Sequence, residues 1–269
     1  PEPVANGSGY LYAPRIVLTA GHFQEWPKNT QIFAFQNNSQ LTSKTAYSKV
    51  IKAFYPDSYE SKSNSNDFAI FVLEKPLAQV LDARLITPEI FKSLIDAKTP
   101  LNVTGYGVYE DVCKLLNQKP RCDMSSKLVH TSLEPRNIQM TPITQAEILR
   151  KYGNGFPDIS KLEDHLFMQS NYETSPCPGD SGGATTVSVD GAEYYVGTTP
   201  AGFWSGYNCG ATPDGGLQET IGYTAPVFKF LDLIKEAQDF VKANPIVSPT
   251  PTPTPSLTSK PGVKISSSA

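Results

Sequence analysis

Short apolar runs separated by polar clusters extend through the first 230 residues of the chain. Four of these runs are rich in Val, Ile, Phe, Tyr and Thr, at residues 31–35, 69–73, 101–105 and 193–198. β-Branched and aromatic residues favour strands, and the intervening Gly, Pro, Asn and Ser clusters favour turns. The pattern therefore predicts an all-β chain.

Two longer stretches have a helical pattern. Thr144 can cap a helix over residues 145–152, because its side-chain oxygen can accept a hydrogen bond from an N–H group of the first turn. Residues 227–243 have apolar side chains at every third or fourth position: Phe228, Leu231, Ile234, Ala237 and Val241. We expect a helix in each stretch, and a connecting segment at residues 86–98.

The pattern changes near residue 245, where a polar segment rich in Pro, Thr and Ser begins. Such a segment cannot bury enough apolar surface to offset the entropy lost on ordering. Residues 246–269 are therefore predicted to be a disordered, extended linker or tail. Residues 1–245 form the predicted folded domain.

Composition excludes several classes of protein. The chain has 269 residues, 39% hydrophobic and 18% charged, which is ordinary for a soluble protein. No apolar run approaches the roughly 20 residues needed to span a bilayer. The net charge is −3, and the absence of a basic stripe argues against nucleic-acid binding. No His-Glu-x-x-His, paired Cys-x-x-Cys or phosphate-binding glycine loop occurs, so no metal or cofactor is expected.

The strongest chemical signal is Gly-Asp-Ser-Gly-Gly at residues 179–183, downstream of a Thr-Ala-Gly-His run ending at His22 and of an Asn-Asp step ending at Asp67. A serine nucleophile needs a base, and the base needs a buried carboxylate that holds its tautomer. Ser181, His22 and Asp67 are the candidates for these roles. The flanking glycines suit a tight turn whose N–H groups converge as an oxyanion hole, with Gly179 and Ser181 as donors.

The same pentapeptide also fits the nucleophile elbow of α/β-hydrolases, Gly-x-Ser-x-Gly. In that fold the serine comes first and the histidine last. Here all three histidines, His22, His130 and His165, precede Ser181. The order of residues therefore excludes the elbow.

The order His, Asp, Ser resembles the chymotrypsin (trypsin-like) family of serine endopeptidases, over most of residues 7–243. Residues 7–22 resemble the strand and loop that carry the family's histidine, and residues 66–73 resemble the segment that carries its aspartate. Val-Thr-Gly-Tyr-Gly at 103–107 is similar to the family's Gly-Trp-Gly step, and Ile-Gly-Tyr-Thr at 221–224 resembles its closing strand.

The resemblance implies two packed antiparallel six-stranded β-barrels with a C-terminal α-helix. Barrel 1 would span about residues 1–95 and barrel 2 about 98–230, with the helix at about 227–243. The implied activity is that of a secreted, monomeric serine endopeptidase acting on proteins or peptides. Two alternatives remain, namely a protease-like binding protein without turnover and an esterase that uses the same site.

Four cysteines are an even number, and their spacing fits neither a zinc ribbon nor a redox motif. We interpret them as two disulfides, with free buried thiols as the alternative. The resemblance implies that Cys177 pairs with Cys209 in the bridge that braces the family's specificity pocket. Cys113 and Cys122 would then pair across a local loop.

Two departures from the family pattern concern the surroundings of the predicted site. The bridge that commonly flanks the histidine is absent, with Gly7 and Phe23 at the expected places. In the family, the carboxylate corresponding to Asp180 accepts a salt bridge from an N-terminal ammonium, but no Ile-Val-Gly-Gly start precedes Gly7. We expect either that an upstream segment is missing or that another group pairs with Asp180.

The specificity pocket is the least typical region. The position that is aspartate in trypsin-like pockets falls at Ser175, so we expect an uncharged side chain at the cleaved bond. The wall that binds the substrate backbone should include Thr199 and Gly202, in an unusual Thr-Thr-Pro-Ala-Gly stretch at 198–202. Thr199 or Pro200 would take the place of the serine that supports the family's catalytic aspartate.

Overall fold

A computed structural model describes residues 7–25, 31–35, 47–78, 83–107, 135–153, 162, 165–170, 176–177, 179–203 and 220–246. The predicted tail therefore lies outside the described residues except for Ile246, which is exposed. None of the helices in these ranges is long and apolar enough to cross a membrane.

Strands are the main secondary structure of the described chain. Twelve are present: β1 Tyr10–Ala13, β2 Ile16–Thr19, β3 Phe33–Phe35, β4 Tyr47–Phe54, β5 Ala69–Leu73, β6 Arg84–Leu85, β7 Leu101–Gly105, β8 Arg136–Pro142, β9 Leu166–Gln169, β10 Gly183–Val189, β11 Ala192–Phe203 and β12 Ile221–Pro226. Three α-helices accompany them: α1 Pro88–Ala97, α2 Gln145–Tyr152 and α3 Leu231–Ala243.

The first sheet has the strand order β1-β2-β5-β4-β3, with antiparallel neighbours throughout. Two of its three inner strands, β2 and β5, are buried along their whole length. Such continuous burial explains why their sequences, Ile-Val-Leu-Thr and Ala-Ile-Phe-Val-Leu, do not alternate with polar residues. The described residues supply five strands to this sheet, and a sixth strand of the predicted first barrel is not among them.

The second sheet closes into a six-stranded antiparallel barrel, in the order β10-β7-β8-β9-β12-β11, because β11 also pairs with β10. Strand β6, from the segment between the two sheets, pairs parallel with β11. The closed barrel, the first sheet and the C-terminal helix confirm the predicted all-β fold class.

One hydrophobic core joins the two sheets and the C-terminal helix. It includes Leu18 of the first sheet, Val196 of the second and Ile234 of α3. The ring of Phe230, just before α3, stacks on that of Phe68 with centroids 4.4 Å apart and planes 4° from parallel. This stacking holds the helix against the residue that follows Asp67 in the chain.

The helices agree with the sequence patterns in part. Helix α2 has the predicted cap: the Thr144 side chain accepts a hydrogen bond from the Glu147 N–H, and the Glu147 carboxylate accepts one from the Thr144 N–H. Residues Val227–Phe230 form a 3-10 turn before α3 begins. Leu231, predicted on the apolar face, is 48% exposed, because the buried side of this segment is formed by Phe230, Ile234 and Ala237.

Helix α1 was not predicted, because residues 86–98 were interpreted only as a connection. The Thr87 side chain accepts a hydrogen bond from the Ile90 N–H, and Pro88 occupies the first turn, where its missing N–H costs nothing. Lys98 ends the helix in the left-handed region, at φ 49°. The Thr-Pro-Glu start was a usable helix signal in the sequence.

Candidate active site

Strand pairing in the first sheet brings His22 and Asp67 together. His22 lies in the 3-10 turn Gly21–Glu25 that follows β2, and Asp67 lies two residues before β5. Strands β2 and β5 pair with Thr19 opposite Ala69. The histidine turn and the aspartate therefore leave the sheet at the same end.

Asp67 holds His22 at two points. Its Oδ1 accepts a 2.6 Å hydrogen bond from the His22 backbone N–H, and its Oδ2 lies 2.7 Å from His22 Nδ1. The Asp67 side chain is fully buried, while that of His22 is 26% exposed. A carboxylate beside Nδ1 favours the tautomer with the proton on Nδ1, which makes Nε2 an acceptor. The arrangement can therefore supply a general base.

Several neighbours fix the backbone and surroundings of Asp67. The Thr198 hydroxyl donates a 3.1 Å hydrogen bond to the Asp67 carbonyl, and the Thr224 hydroxyl donates to the Thr198 carbonyl. Burial, together with the charge of Asp67, raises the pKa of Tyr223 above its ordinary value.

We expected Thr199 or Pro200 to take the place of the serine that supports the aspartate. Among the described contacts, it is Thr198 that donates a hydrogen bond to Asp67. The Thr199 hydroxyl lies 3.1 Å from the Thr185 hydroxyl, and Thr198 makes the contact with Asp67. In the twisted strand β11, a one-residue difference decides which neighbouring segment a side chain faces. Thr199 is also 3% exposed, and its carbonyl accepts a hydrogen bond from the Gly182 N–H at 2.7 Å. Gly202 pairs with Gly222 in the barrel wall.

Ser181 lies in the turn that enters β10, packed against the segment that leads to His22. Gly182 has φ 82°, and a Cβ added there would lie 2.2 Å from Thr19 Oγ1 and 3.0 Å from the Ala20 nitrogen. Only glycine permits both this conformation and this close approach. The close contact between the segments that carry Ser181 and His22 therefore requires glycine at position 182.

Asp180 is held by backbone N–H groups. Its Oδ1 accepts a hydrogen bond from Gly107 and its Oδ2 one from Cys177, each 2.7 Å long. Burial raises the pKa of Asp180 above its ordinary value, and these two bonds oppose that rise. We expected either a missing upstream segment or another partner for Asp180. The described contacts provide other partners, the N–H groups of Gly107 and Cys177. Residues 1–6 lie outside the described chain.

His165 was not recognised from the sequence as a neighbour of the site. It is 6% exposed, and its Nε2 accepts a 3.2 Å hydrogen bond from the backbone N–H of Asn66, the residue before Asp67. No motif surrounds His165 in the sequence. The contact joins residues 99 positions apart, so it could not be found from neighbouring residues. It depends on how β9 packs beside the turn before β5.

Several predicted residues lie outside the described chain: Ser175, Cys113, Cys122, Cys209 and His130. Cys177 is described, and it is not a free thiol. Within the described ranges, no cluster of three His, Cys, Asp or Glu residues could hold a metal ion.

Phe23 fills the place of the missing bridge beside His22. Phe23 is 4% exposed, and its ring meets the His22 ring edge-on with centroids 4.7 Å apart. A Cβ added to Gly7 would lie 2.1 Å from the Phe23 ring. The ring therefore occupies the space where a side chain at residue 7 would project, and packing replaces a covalent link.

Most of the chain is similar to a known protein family. The protein-family model described as Trypsin matches residues 4–234. That range contains His22, Asp67, Ser181 and the closed barrel. A search of curated proteins found no match.

The packing of Phe23 on Gly7 predicts strong coupling between two substitutions. Phe23→Ala should lower the free energy of unfolding by about 3–5 kcal/mol, through loss of a buried ring. Gly7→Ala should cost about 1–3 kcal/mol by overpacking, but should cost little in the Phe23→Ala background, where the space is open. Urea denaturation of the four proteins measures both effects. Additive losses would contradict the proposed packing.

Proposed function

The chain belongs to the trypsin family of serine endopeptidases, and from that premise we propose that it hydrolyses peptide bonds through an acyl-enzyme on Ser181. The observation that carries the proposal is that both carboxylate oxygens of buried Asp67 form hydrogen bonds with His22, one with its backbone N–H and one with Nδ1. A structural histidine does not need a fully buried carboxylate on Nδ1, whereas a general base that acts through Nε2 does.

In the proposed reaction, His22 Nε2 takes the proton of Ser181 as Oγ bonds to the carbonyl carbon of the substrate. The carbonyl π electrons move to oxygen, where the N–H groups of Gly179 and Ser181 donate hydrogen bonds to the oxyanion. His22 then gives the proton to the amine nitrogen as the C–N bond breaks, which leaves an ester on Ser181. Water then attacks the ester carbon as His22 takes one of its protons. His22 returns that proton to Ser181 Oγ as the bond between Oγ and the acyl carbon breaks, which releases the acid and restores the serine.

Asp67 has a positioning and electrostatic role in this scheme. Its contact with Nδ1 selects the tautomer and favours the imidazolium that forms during each transfer. Its second oxygen, on the His22 N–H, fixes the ring relative to the backbone.

A fluorophosphonate probe tests the nucleophile directly. We expect it to label Ser181 in the folded protein, and Ser181→Ala to abolish both labelling and hydrolysis of casein. Ser188→Ala is the matched control, because Ser188 is an exposed serine on β10 of the same barrel. Labelling should be measured by mass spectrometry of the modified peptide.

The outcomes of that experiment also separate the alternatives. A folded protein that resists the probe would support the binding-protein alternative and contradict the proposal. Labelling of Ser181 with ester hydrolysis but no cleavage of casein would indicate an esterase. Labelling of any serine other than Ser181 would make the assigned nucleophile wrong.

We propose that the pocket prefers an uncharged side chain, because Ser175 stands where a buried carboxylate would be needed to pair Lys or Arg. Leaving a buried cation unpaired costs several kcal/mol, enough for roughly a hundredfold discrimination or more. A peptide library digested with the enzyme should therefore yield cuts after apolar or aromatic residues. Ser175→Asp should shift the preference toward basic residues only in part. Cleavage confined to bonds after Lys and Arg would show that Ser175 is misplaced in the pocket.

We propose two disulfides, Cys177 with Cys209 and Cys113 with Cys122, and secretion of the protein. Support comes from Cys177, which is not a free thiol, and from the even number of cysteines. Disulfides persist mainly outside the cytosol, so these two proposals are linked. Non-reducing peptide mapping of protein recovered from culture medium should find both pairs. Any other pairing, or retention of the protein inside cells, would overturn the corresponding proposal.

A further inference from the structure

Ser8 is a buried serine whose hydroxyl connects three segments of the chain. Its Oγ donates a 2.7 Å hydrogen bond to the Gly179 carbonyl and accepts a 2.8 Å bond from the Tyr106 N–H. The residue is 6% exposed. The hydroxyl therefore uses its single proton on the turn before Ser181 and binds the end of β7 as an acceptor.

The backbone of Ser8 holds the same turn. Its N–H donates a 2.8 Å hydrogen bond to the Ser181 carbonyl. Its own carbonyl accepts a 2.7 Å bond from the Thr19 hydroxyl, at the end of β2. Ser8 thus contacts the residues on both sides of Asp180 and is tied to the strand that leads to His22.

The peptide between Gly179 and Asp180 is fixed at both edges. Ser8 Oγ binds its carbonyl, and its N–H donates a 2.9 Å hydrogen bond to the Cys177 carbonyl. Gly179 has φ 96°, a region that glycine enters and leaves at little cost. The Gly179 N–H, which is assigned to the oxyanion hole, belongs to the preceding peptide, and the torsion angles of Gly179 join that peptide to the one that Ser8 holds.

Asp180 does not replace this contact. Its carboxylate is occupied by the N–H groups of Gly107 and Cys177, and neither bond reaches the Gly179 carbonyl. The adjacent Tyr106 and Gly107 N–H groups point to different acceptors, Ser8 Oγ and Asp180 Oδ1. The two contacts therefore hold successive parts of the turn.

We propose that Ser8 is a positioning residue for the oxyanion hole, acting through the Gly179 carbonyl. This inference rests on the proposed function. Ser8 touches no reacting atom in the scheme above, so its effect should be confined to the transition state. Substrate binding in the ground state uses the pocket and should change little.

Ser8→Ala tests the role by removing only the hydroxyl. We expect kcat to fall about 10- to 100-fold with KM within about twofold, less than the full loss of an oxyanion donor. Affinity for a peptide aldehyde, whose tetrahedral adduct with Ser181 carries the oxyanion, should weaken by the same factor as kcat. Ser8→Thr retains a hydroxyl and should recover most of the activity.

Ser48→Ala is the matched control, because Ser48 is also buried, at 1% exposure, and its Oγ accepts a 2.8 Å hydrogen bond from the Lys75 N–H. Its substitution should lower Tm about as much as Ser8→Ala, without changing kcat. Equal effects of the two substitutions on kcat would show that Ser8 has only a structural role and would overturn the inference.

The remaining outcomes separate this inference from the proposed function. Wild-type protein that is neither labelled at Ser181 nor active would overturn both. Active wild-type protein with an unchanged kcat in Ser8→Ala, or with a loss confined to KM, would overturn the positioning role alone. If Ser8→Ala does not fold, Ser8→Cys takes its place, because a thiol is only a weak hydrogen-bond donor. Equal losses of kcat and aldehyde affinity in Ser8→Cys would support the role, and unequal losses or none would contradict it.

Discussion

The burial of the Asp67 carboxylate is the constraint on which the rest of the site depends. A buried carboxylate is costly unless hydrogen bonds satisfy it, and here both oxygens contact His22. The pair forms only if β2 and β5 keep their register, since a one-residue slip would turn every side chain to the opposite face. Phe68, the next residue in the chain, is fully buried and stacks on Phe230.

The second sheet meets this pair through buried hydroxyl groups. Thr198 on β11 binds the Asp67 backbone, and Thr224 on β12 fixes Thr198. These threonines are fully buried and would be destabilising without partners. Their hydroxyls therefore serve two purposes: they provide buried carbonyl groups with hydrogen bonds, and they fix the position of the aspartate relative to the second sheet.

Features that depend on neighbouring residues in the chain could be predicted. Strands β5 and β7 have the bounds that their apolar runs indicated, and the capping box of α2 is visible in the sequence as Thr144 and Glu147. The His22–Asp67 contact was also anticipated, because motif order and spacing identify a family whose fold joins distant residues. The catalytic roles of His22, Asp67 and Ser181, and the roles of the pocket residues, stay predictions.

The contacts that could not be predicted join residues that are far apart in the chain and belong to no recognisable sequence motif. A serine at position 8 reads as an ordinary turn residue until the barrel places it on Gly179, 171 positions away. Gly7 and Phe23 were noted only as missing cysteines, yet the absence of a side chain at Gly7 is what admits the Phe23 ring. Residues 7 and 8 are adjacent, and one admits the ring beside His22 while the other holds the turn before Ser181. A short segment at the edge of the first sheet therefore aligns the proposed base and nucleophile, which explains how the site can dispense with the flanking bridge.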